Sequence, residues 1–112
     1  MTTFAGLYDR ATGRDPFALP ARWLAARSQL ALATPFDVAT TNDTIGGNSG
    51  SPVINRDGEI VGLLFDGNIH SLGGDYFYDP ALNRSIAVAT PAIREALDKI
   101  YAARRLLDEL GR

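Results

Sequence analysis

The 112-residue chain has no cysteine, a formal net charge of only −2 at pH 7, and no apolar run near the roughly 20 residues that span a bilayer. The absence of cysteine excludes disulfide bonds and cysteine-based metal sites. The balance of 13 acidic and 11 basic residues indicates neither a nucleic-acid partner nor a membrane partner. The first ten residues, MTTFAGLYDR, lack the charged start and apolar stretch of a signal peptide. No pattern in the sequence indicates a cofactor or a metal ion.

Two helices are predicted on either side of a region with strand character. The length fits one small domain, and 46% hydrophobic residues are enough for a packed core. Residues 1–19 contain several glycine and proline breakers, and we expect them to be irregular. A helix is predicted over 20–32, from Pro20 until shortly before Pro35. A second helix is predicted over 91–110, because apolar residues recur there at three- and four-residue steps: Ile93, Leu97, Ile100, Leu107 and Leu110.

The middle of the chain is predicted to form strands. Residues 36–40 have the composition of a short strand. The stretch SPVINRDGEIVGLLFD predicts a β-hairpin with strands at 52–54 and 60–65, because Asp57-Gly58 is a strong turn signal between two apolar runs. A polar loop over 67–83 leads to another strand in SIAVAT. The predicted fold class is therefore mainly β with helices.

The stretch GGNSGSPV, residues 46–53, is the candidate functional motif. A serine hydroxyl is a weak nucleophile that needs a base and donors for the developing oxyanion. Glycine permits the sharp bend that would aim the amides of Gly47 and Ser49 at one oxygen, and Gly50 would leave room for a substrate. The alternative is a plain turn between two strands, because glycine, asparagine, serine and proline are all turn formers.

The motif resembles the serine loop of chymotrypsin-fold proteases, which reads Gly-Asp/Asn-Ser-Gly-Gly/Ser-Pro. With its flanks, TTNDTIGGNSGSPVINRDGEIVGLLFDGN and GGDYFYDPALNRSIAV, the chain resembles the end of the bacterial dipeptidyl-peptidase 7/11 family. This resemblance implies a periplasmic or secreted serine exopeptidase with a chymotrypsin-like double β-barrel and an added helical domain. Because family members are several times longer, residues 1–112 are expected to be a single partial domain, with one barrel lobe, at the C-terminal end of a larger catalytic domain.

The resemblance assigns roles to individual residues. Ser49 matches the family's nucleophile, and the amides of Gly47 and Ser49 match its oxyanion hole. Asp66 matches the acid that holds the substrate's free α-amino group, which implies peptide substrates with a free N-terminus. Gly67 matches the position that sorts specificity, where glycine accompanies apolar or aromatic penultimate residues. Asn68 follows directly and is assigned to substrate binding too, although Asp-Gly-Asn alone is equally a turn signal.

The chain lacks a credible partner for the serine. A serine triad needs a histidine and an orienting carboxylate, and the only histidine, His70, lies in a polar loop, where a solvated role is favoured. In chymotrypsin-like folds both partners precede the serine, so we expect the chain alone to be inactive and its partner to be the upstream part of the peptidase. Open sheet edges would also favour a homo-oligomer. The alternative function is a non-catalytic β-domain that binds a peptide or a partner.

Overall fold

The computed structural model describes residues 1–111, which divide into two compact units. One unit consists of Asp37–Thr90 together with Met1. The other consists of residues 2–36 and the residues from Pro91 onward. The expectation of a single partial domain stays a prediction, and each unit is described by itself.

The first unit is built on a four-stranded antiparallel sheet. Its strands are β1 (Asp37–Thr40), β2 (Pro52–Ile54), β3 (Ile60–Gly67) and β4 (Ser85–Ala89), in the spatial order β1-β4-β3-β2. All four strands predicted from the sequence are confirmed. Strand β3 continues two residues past its predicted end, which places Asp66 and Gly67 in the strand instead of the following loop.

Strand β3, one of the two inner strands of this sheet, shows two local adaptations. A Cβ atom at Gly62 would lie 2.8 Å from the carbonyl oxygen of Val88, so glycine is required for the close approach of β3 to β4. The register of the same pair shifts between Leu64 and Asp66, which indicates a β-bulge at Phe65. Because a bulge re-aims the side chains that follow it, it determines the direction of Asp66.

The second unit is helical around an aromatic cluster. Its helices are α1 (Phe4–Asp9), α2 (Ala21–Ala26), α3 (Thr90–Glu95, whose first residue belongs to the sheet unit) and α4 (Arg104–Glu109). The rings of Phe4, Trp23 and Phe36 pack with centroids 5.3 to 6.2 Å apart. The buried Tyr8 hydroxyl donates a hydrogen bond to the Trp23 carbonyl oxygen, and this burial raises the pKa of the phenol. Within residues 1–111, no helix is both long and apolar enough to cross a bilayer.

The helical predictions were wrong in extent. The helix predicted over 20–32 ends at Ala26 and continues only as a 3-10 turn to Gln29. The helix predicted over 91–110 passes from α3 into a π-helical turn, Ala96–Ile100, and then breaks before α4. The break lies at Ala102, whose φ of +51° is a left-handed conformation outside the α-helical region. Helix α1 lies within the stretch expected to be irregular, because six residues are too few to show a helical period.

Candidate active site

The loop between β1 and β2 is folded into two successive turns. The Asn48 side-chain oxygen accepts a hydrogen bond from the Ile45 amide at 2.9 Å, and the Asn48 amide donates to the Ile45 carbonyl at 3.2 Å. The Ser51 amide then donates to the Asn48 carbonyl at 3.0 Å. Gly47 and Gly50 have φ angles of +95° and +87°, which disfavour any residue with a Cβ atom. This explains why glycines flank the Asn-Ser pair.

Strand β3 anchors the end of this loop. The Gly50 amide donates to the Leu64 carbonyl at 2.7 Å, and the Leu64 amide donates to the Ser51 carbonyl at 2.9 Å. Leu64 is buried in the sheet, so both bonds connect the loop to a packed element. Ser49 therefore lies between two residues whose backbone atoms are held in place.

Ser49 itself is exposed, and the backbone donors around it are unoccupied. Within residues 1–111, the amides of Gly46, Gly47 and Ser49 donate no hydrogen bond to any protein atom. The neighbouring amides at Asn48, Gly50 and Ser51 all have acceptors. The loop thus keeps its shape through some of its amides and leaves others, on both sides of the asparagine, available to a ligand or to water.

A buried serine on β4 fixes the chain that leads into the loop. The Ser85 hydroxyl, 1% exposed, lies 2.8 Å from the Asn42 carbonyl oxygen and 2.6 Å from the Thr44 hydroxyl. The Tyr78 hydroxyl also donates a hydrogen bond to the Thr41 carbonyl. Sequence reasoning did not find Ser85; the one signal was a serine at a buried position of an otherwise apolar strand.

An open cavity of about 220 Å³ lies beside Ser49 within the sheet unit. Four of the five residues assigned to the site line it, namely Ser49, Asp66, Gly67 and Asn68. Gly47 lies in the same loop but does not line the cavity. Four apolar side chains also contribute to its walls: Ile45, Leu64, Phe65 and Leu72. The structure thus brings together residues that lie up to 27 positions apart in the sequence.

Asp66 provides the only charged side chain among the residues that line this cavity. Its Oδ1 atom accepts a hydrogen bond from the Gly67 amide at 2.8 Å. No other hydrogen bond or ion pair reaches this carboxylate from the described part of the chain. The carboxylate is exposed, so it can accept hydrogen bonds from a cation that enters the cavity.

The polar atoms of the Asn68 side chain are engaged by its own loop. The Nδ2 atom donates to the Leu82 carbonyl at 2.7 Å. The Oδ1 atom accepts from the Arg84 amide at 3.1 Å and from the Ser71 hydroxyl at 3.0 Å. Asn68 therefore borders the cavity while its amide group closes the loop between β3 and β4.

The other candidate side chains lie elsewhere. Ser51 lines a second cavity of about 210 Å³ and is absent from the first. His70 is exposed in the short 3-10 helix Ile69–Gly73 and lines neither cavity. In the described part of the chain, no cluster of three or more acidic or histidine side chains could hold a metal ion.

Comparison with known proteins gives a consistent result. The family model described as peptidase S46 matches residues 1–112. "Dipeptidyl-peptidase 7" of Phocaeicola vulgatus is 51% identical over 71 residues, which are 63% of this chain and 10% of that protein. An "Asp/Glu-specific dipeptidyl-peptidase" of Porphyromonas gingivalis is 45% identical over 77 residues, 69% of this chain and 11% of that protein. The chain thus spans about a tenth of the length of these relatives.

Solved structures agree with this result. The structure of Porphyromonas endodontalis DPP11 in complex with the dipeptide Arg-Asp matches 98% of this chain with a TM-score of 0.89 at 29% identity. The same protein in complex with Arg-Glu matches 96% with a TM-score of 0.86 at 30% identity. Each match covers 17% of the DPP11 chain. The four-stranded sheet with several helices therefore corresponds to a part of a larger fold. This agrees with the prediction of a partial, mainly β lobe with helices.

Proposed function

Because the chain belongs to the peptidase S46 family, we propose that it supplies the nucleophile, the oxyanion hole and part of the specificity pocket of a serine dipeptidyl-peptidase. A histidine base and its orienting carboxylate come from residues outside these 112, since the only histidine of the chain, His70, is exposed and does not line the cavity beside Ser49. Periplasmic or secreted location belongs to the same proposal. Strands β1 and β2 are the outer strands of the described sheet, and their open edges would be covered by the rest of the peptidase or by a second copy.

The proposed reaction is an acyl transfer in two steps. The base removes the proton of the Ser49 hydroxyl, whose oxygen attacks the carbonyl carbon after the second residue of the substrate. The amides of Gly47 and Ser49 stabilise the negative oxygen of the tetrahedral intermediate. The proton then passes to the leaving amine as the peptide bond breaks, and the dipeptide remains bound to Ser49 as an ester. Attack of water on this ester releases the dipeptide and restores the hydroxyl.

One observation carries the proposal: the exposed Ser49 stands between backbone amides that have no acceptor in the described part of the chain and a cavity lined by Asp66. Two such amides are the donors that an oxyanion requires. A simple solvated turn has no need of the cavity or of the two hydrogen bonds that anchor Gly50 and Ser51 on Leu64. The arrangement therefore supports a nucleophile loop better than a plain connection.

The cavity also supports a substrate class. The Asp66 carboxylate would accept hydrogen bonds from the α-ammonium group of a peptide, which accounts for removal of residues from a free N-terminus. The other lining residues carry no charge, and several are apolar. An acidic penultimate side chain would find no cation here and would be repelled by Asp66. We therefore expect apolar or aromatic penultimate residues to be preferred, as glycine at position 67 implies by resemblance.

Labelling of Ser49 tests this proposal. The segment should be placed in the complete Phocaeicola vulgatus dipeptidyl-peptidase 7 in exchange for its counterpart, and the resulting chimeric peptidase treated with a fluorophosphonate probe. We expect labelling of the chimera and of its Ser51→Ala variant, and none of Ser49→Ala. Equal labelling of Ser49→Ala, or no labelling of a folded chimera, would contradict a nucleophilic role and favour a non-catalytic binding domain.

A further inference from the structure

The space next to Gly67 is filled by another residue. An added Cβ atom at position 67 would lie 3.1 Å from the Ser71 Cβ atom and 3.2 Å from its hydroxyl oxygen. Real Cβ contacts are rarely this short, so a side chain at position 67 would require Ser71 to shift by a few tenths of an ångström. Both residues line the cavity beside Ser49. Glycine at position 67 therefore reflects the position of Ser71 as well as the need for an open pocket.

A hydrogen-bond network holds Ser71 in this position. Its hydroxyl lies 3.0 Å from the Asn68 side-chain oxygen and 3.1 Å from the Arg84 carbonyl oxygen, and its amide donates to the Asn68 carbonyl. Asn68 is in turn bonded to Leu82 and to the Arg84 amide. A hydroxyl has only one hydrogen, which these two acceptors already share. Ser71 therefore presents no free donor to a carboxylate in the cavity.

We propose that Ser71 is a specificity-determining residue of this pocket and that Asn68 is the positioning residue that holds it there. Ser71 sets the depth of the pocket next to Gly67, and its uncharged hydroxyl, already engaged, offers that wall no donor for a charged group. A neutral wall of fixed depth selects uncharged, bulky side chains at the penultimate position of the substrate. This inference rests on the proposed function and adds to it a residue that the family resemblance did not assign.

The first test enlarges Ser71 in the chimeric peptidase. Ser71→Val adds apolar volume to the pocket wall, so the ratio of kcat/KM for a dipeptidyl substrate with penultimate Phe to one with penultimate Ala should fall at least about tenfold, the usual effect of a methylene-sized change in an apolar pocket. The matched control is Ser28→Val, the same change at an exposed serine of the 3-10 turn Arg27–Gln29. It should leave the ratio unchanged.

The second test measures coupling between positions 67 and 71. Gly67→Ala alone should lower kcat/KM for the penultimate-Phe substrate, because the new Cβ atom meets Ser71. Adding Ser71→Gly removes the atoms that the new Cβ atom meets, and kcat/KM for this substrate should rise again by at least about fivefold. Such coupling is expected only for residues in contact. Independent effects of the two substitutions would contradict direct packing between them.

The role of Asn68 is tested by rescue. Asn68→Ala removes one of the two acceptors of the Ser71 hydroxyl and should lower the Phe-to-Ala ratio. Asn68→Asp keeps that acceptor and should restore most of the Phe-to-Ala ratio. Because each ratio compares two substrates on one preparation, partial unfolding does not change it. A labelled, active chimera whose ratio is unaffected by Ser71→Val and by Asn68→Ala would overturn this inference alone, whereas an unlabelled chimera would overturn the proposed function.

Discussion

Two glycine-containing turns of the sheet unit, residues 45–51 and 55–59, use the same residue types to different ends. In the hairpin turn 55–59, the Asn55 side chain accepts hydrogen bonds from the amides of Asp57 and Glu59 at 2.9 and 3.0 Å. The Asn55 amide donates to Glu59 and the Gly58 amide to Asn55. In the loop 45–51, called the serine loop, the Asn48 side chain accepts one amide, and three other amides have no acceptor within residues 1–111.

The difference separates a turn that reverses the chain from the loop to which we assign the nucleophile. Both turns contain glycine at positive φ, +81° at Gly58 and +95° at Gly47, so glycine content does not distinguish them. What distinguishes them is the use of the backbone donors. In the hairpin turn four of the five amides bond within the turn, whereas in the serine loop three of the seven amides do so, one bonds to Leu64, and three stay open within residues 1–111. The number of unoccupied amides on a well-anchored loop is thus a more specific sign of an oxyanion hole than its composition.

The largest expected effect comes from Gly47→Ala. No atom lies within 4 Å of an added Cβ at Gly47 or at Gly58, so in both cases the substitution acts only through the positive φ angle. At Gly47 the strain should rotate the amide out of place and lower kcat/KM of the chimeric peptidase by about 100-fold, as for loss of one oxyanion donor. Gly58→Ala should cost about 1 kcal/mol of stability and leave kcat/KM unchanged.

Equal effects of these two glycine substitutions on kcat/KM would contradict the proposed difference between the two turns. If the Gly47→Ala variant is as active as the unsubstituted chimeric peptidase, the amide of residue 47 does not stabilise the oxyanion. Equal loss of activity in Gly58→Ala would mean that the hairpin turn matters to catalysis as much as the serine loop does.

A smaller effect is expected when a carboxylate is neutralised in each region. Asp66→Asn should lower kcat/KM for substrates with a free N-terminus by about 10- to 100-fold, because a hydrogen bond to a charged group contributes about 1.5–3 kcal/mol. Asp57→Asn, at an exposed position of the hairpin turn, is the matched control and should have no effect. Equal kinetic losses in both variants would point to a general charge effect and would remove Asp66 from substrate recognition.

The sequence predicted the sheet unit better than the helical unit. The strands of the hairpin and β4 follow from apolar runs bounded by turn residues, and all were confirmed. The prediction of a single helix over 91–110 was wrong because the spacing of Ile100 and Leu107 does not reveal the helix break at Ala102, whose φ is +51°. Alanine has no local preference for that conformation, so only the packing of the folded chain can impose it.

The motif of the candidate site could be predicted from the sequence, whereas the residues that hold the surrounding loops in place could not. Ser49 and Gly47 follow from one short stretch of sequence, and Asp66 and Gly67 from the family resemblance. Ser85 and Ser71 were missed, because each bonds to backbone atoms far away in the sequence: Ser85 to Asn42, 43 positions earlier, and Ser71 to Arg84, 13 positions later. Serine is common in loops and strands, so only the three-dimensional structure identifies these partners.

The smallest expected effect is a difference in the free energy of unfolding between variants of Asn55 and Asn48. Asn55→Ala removes two accepted hydrogen bonds and one donated to Glu59, whereas Asn48→Ala removes one. At about 0.5–1.5 kcal/mol for each bond, and near the lower end for exposed turns, Asn55→Ala should cost about 1–2 kcal/mol and Asn48→Ala about 0.5 kcal/mol. Urea unfolding of the 112-residue chain measures both. A larger loss from Asn48→Ala would mean that the serine loop holds itself together, and the contrast between the two turns would then no longer explain their different donors.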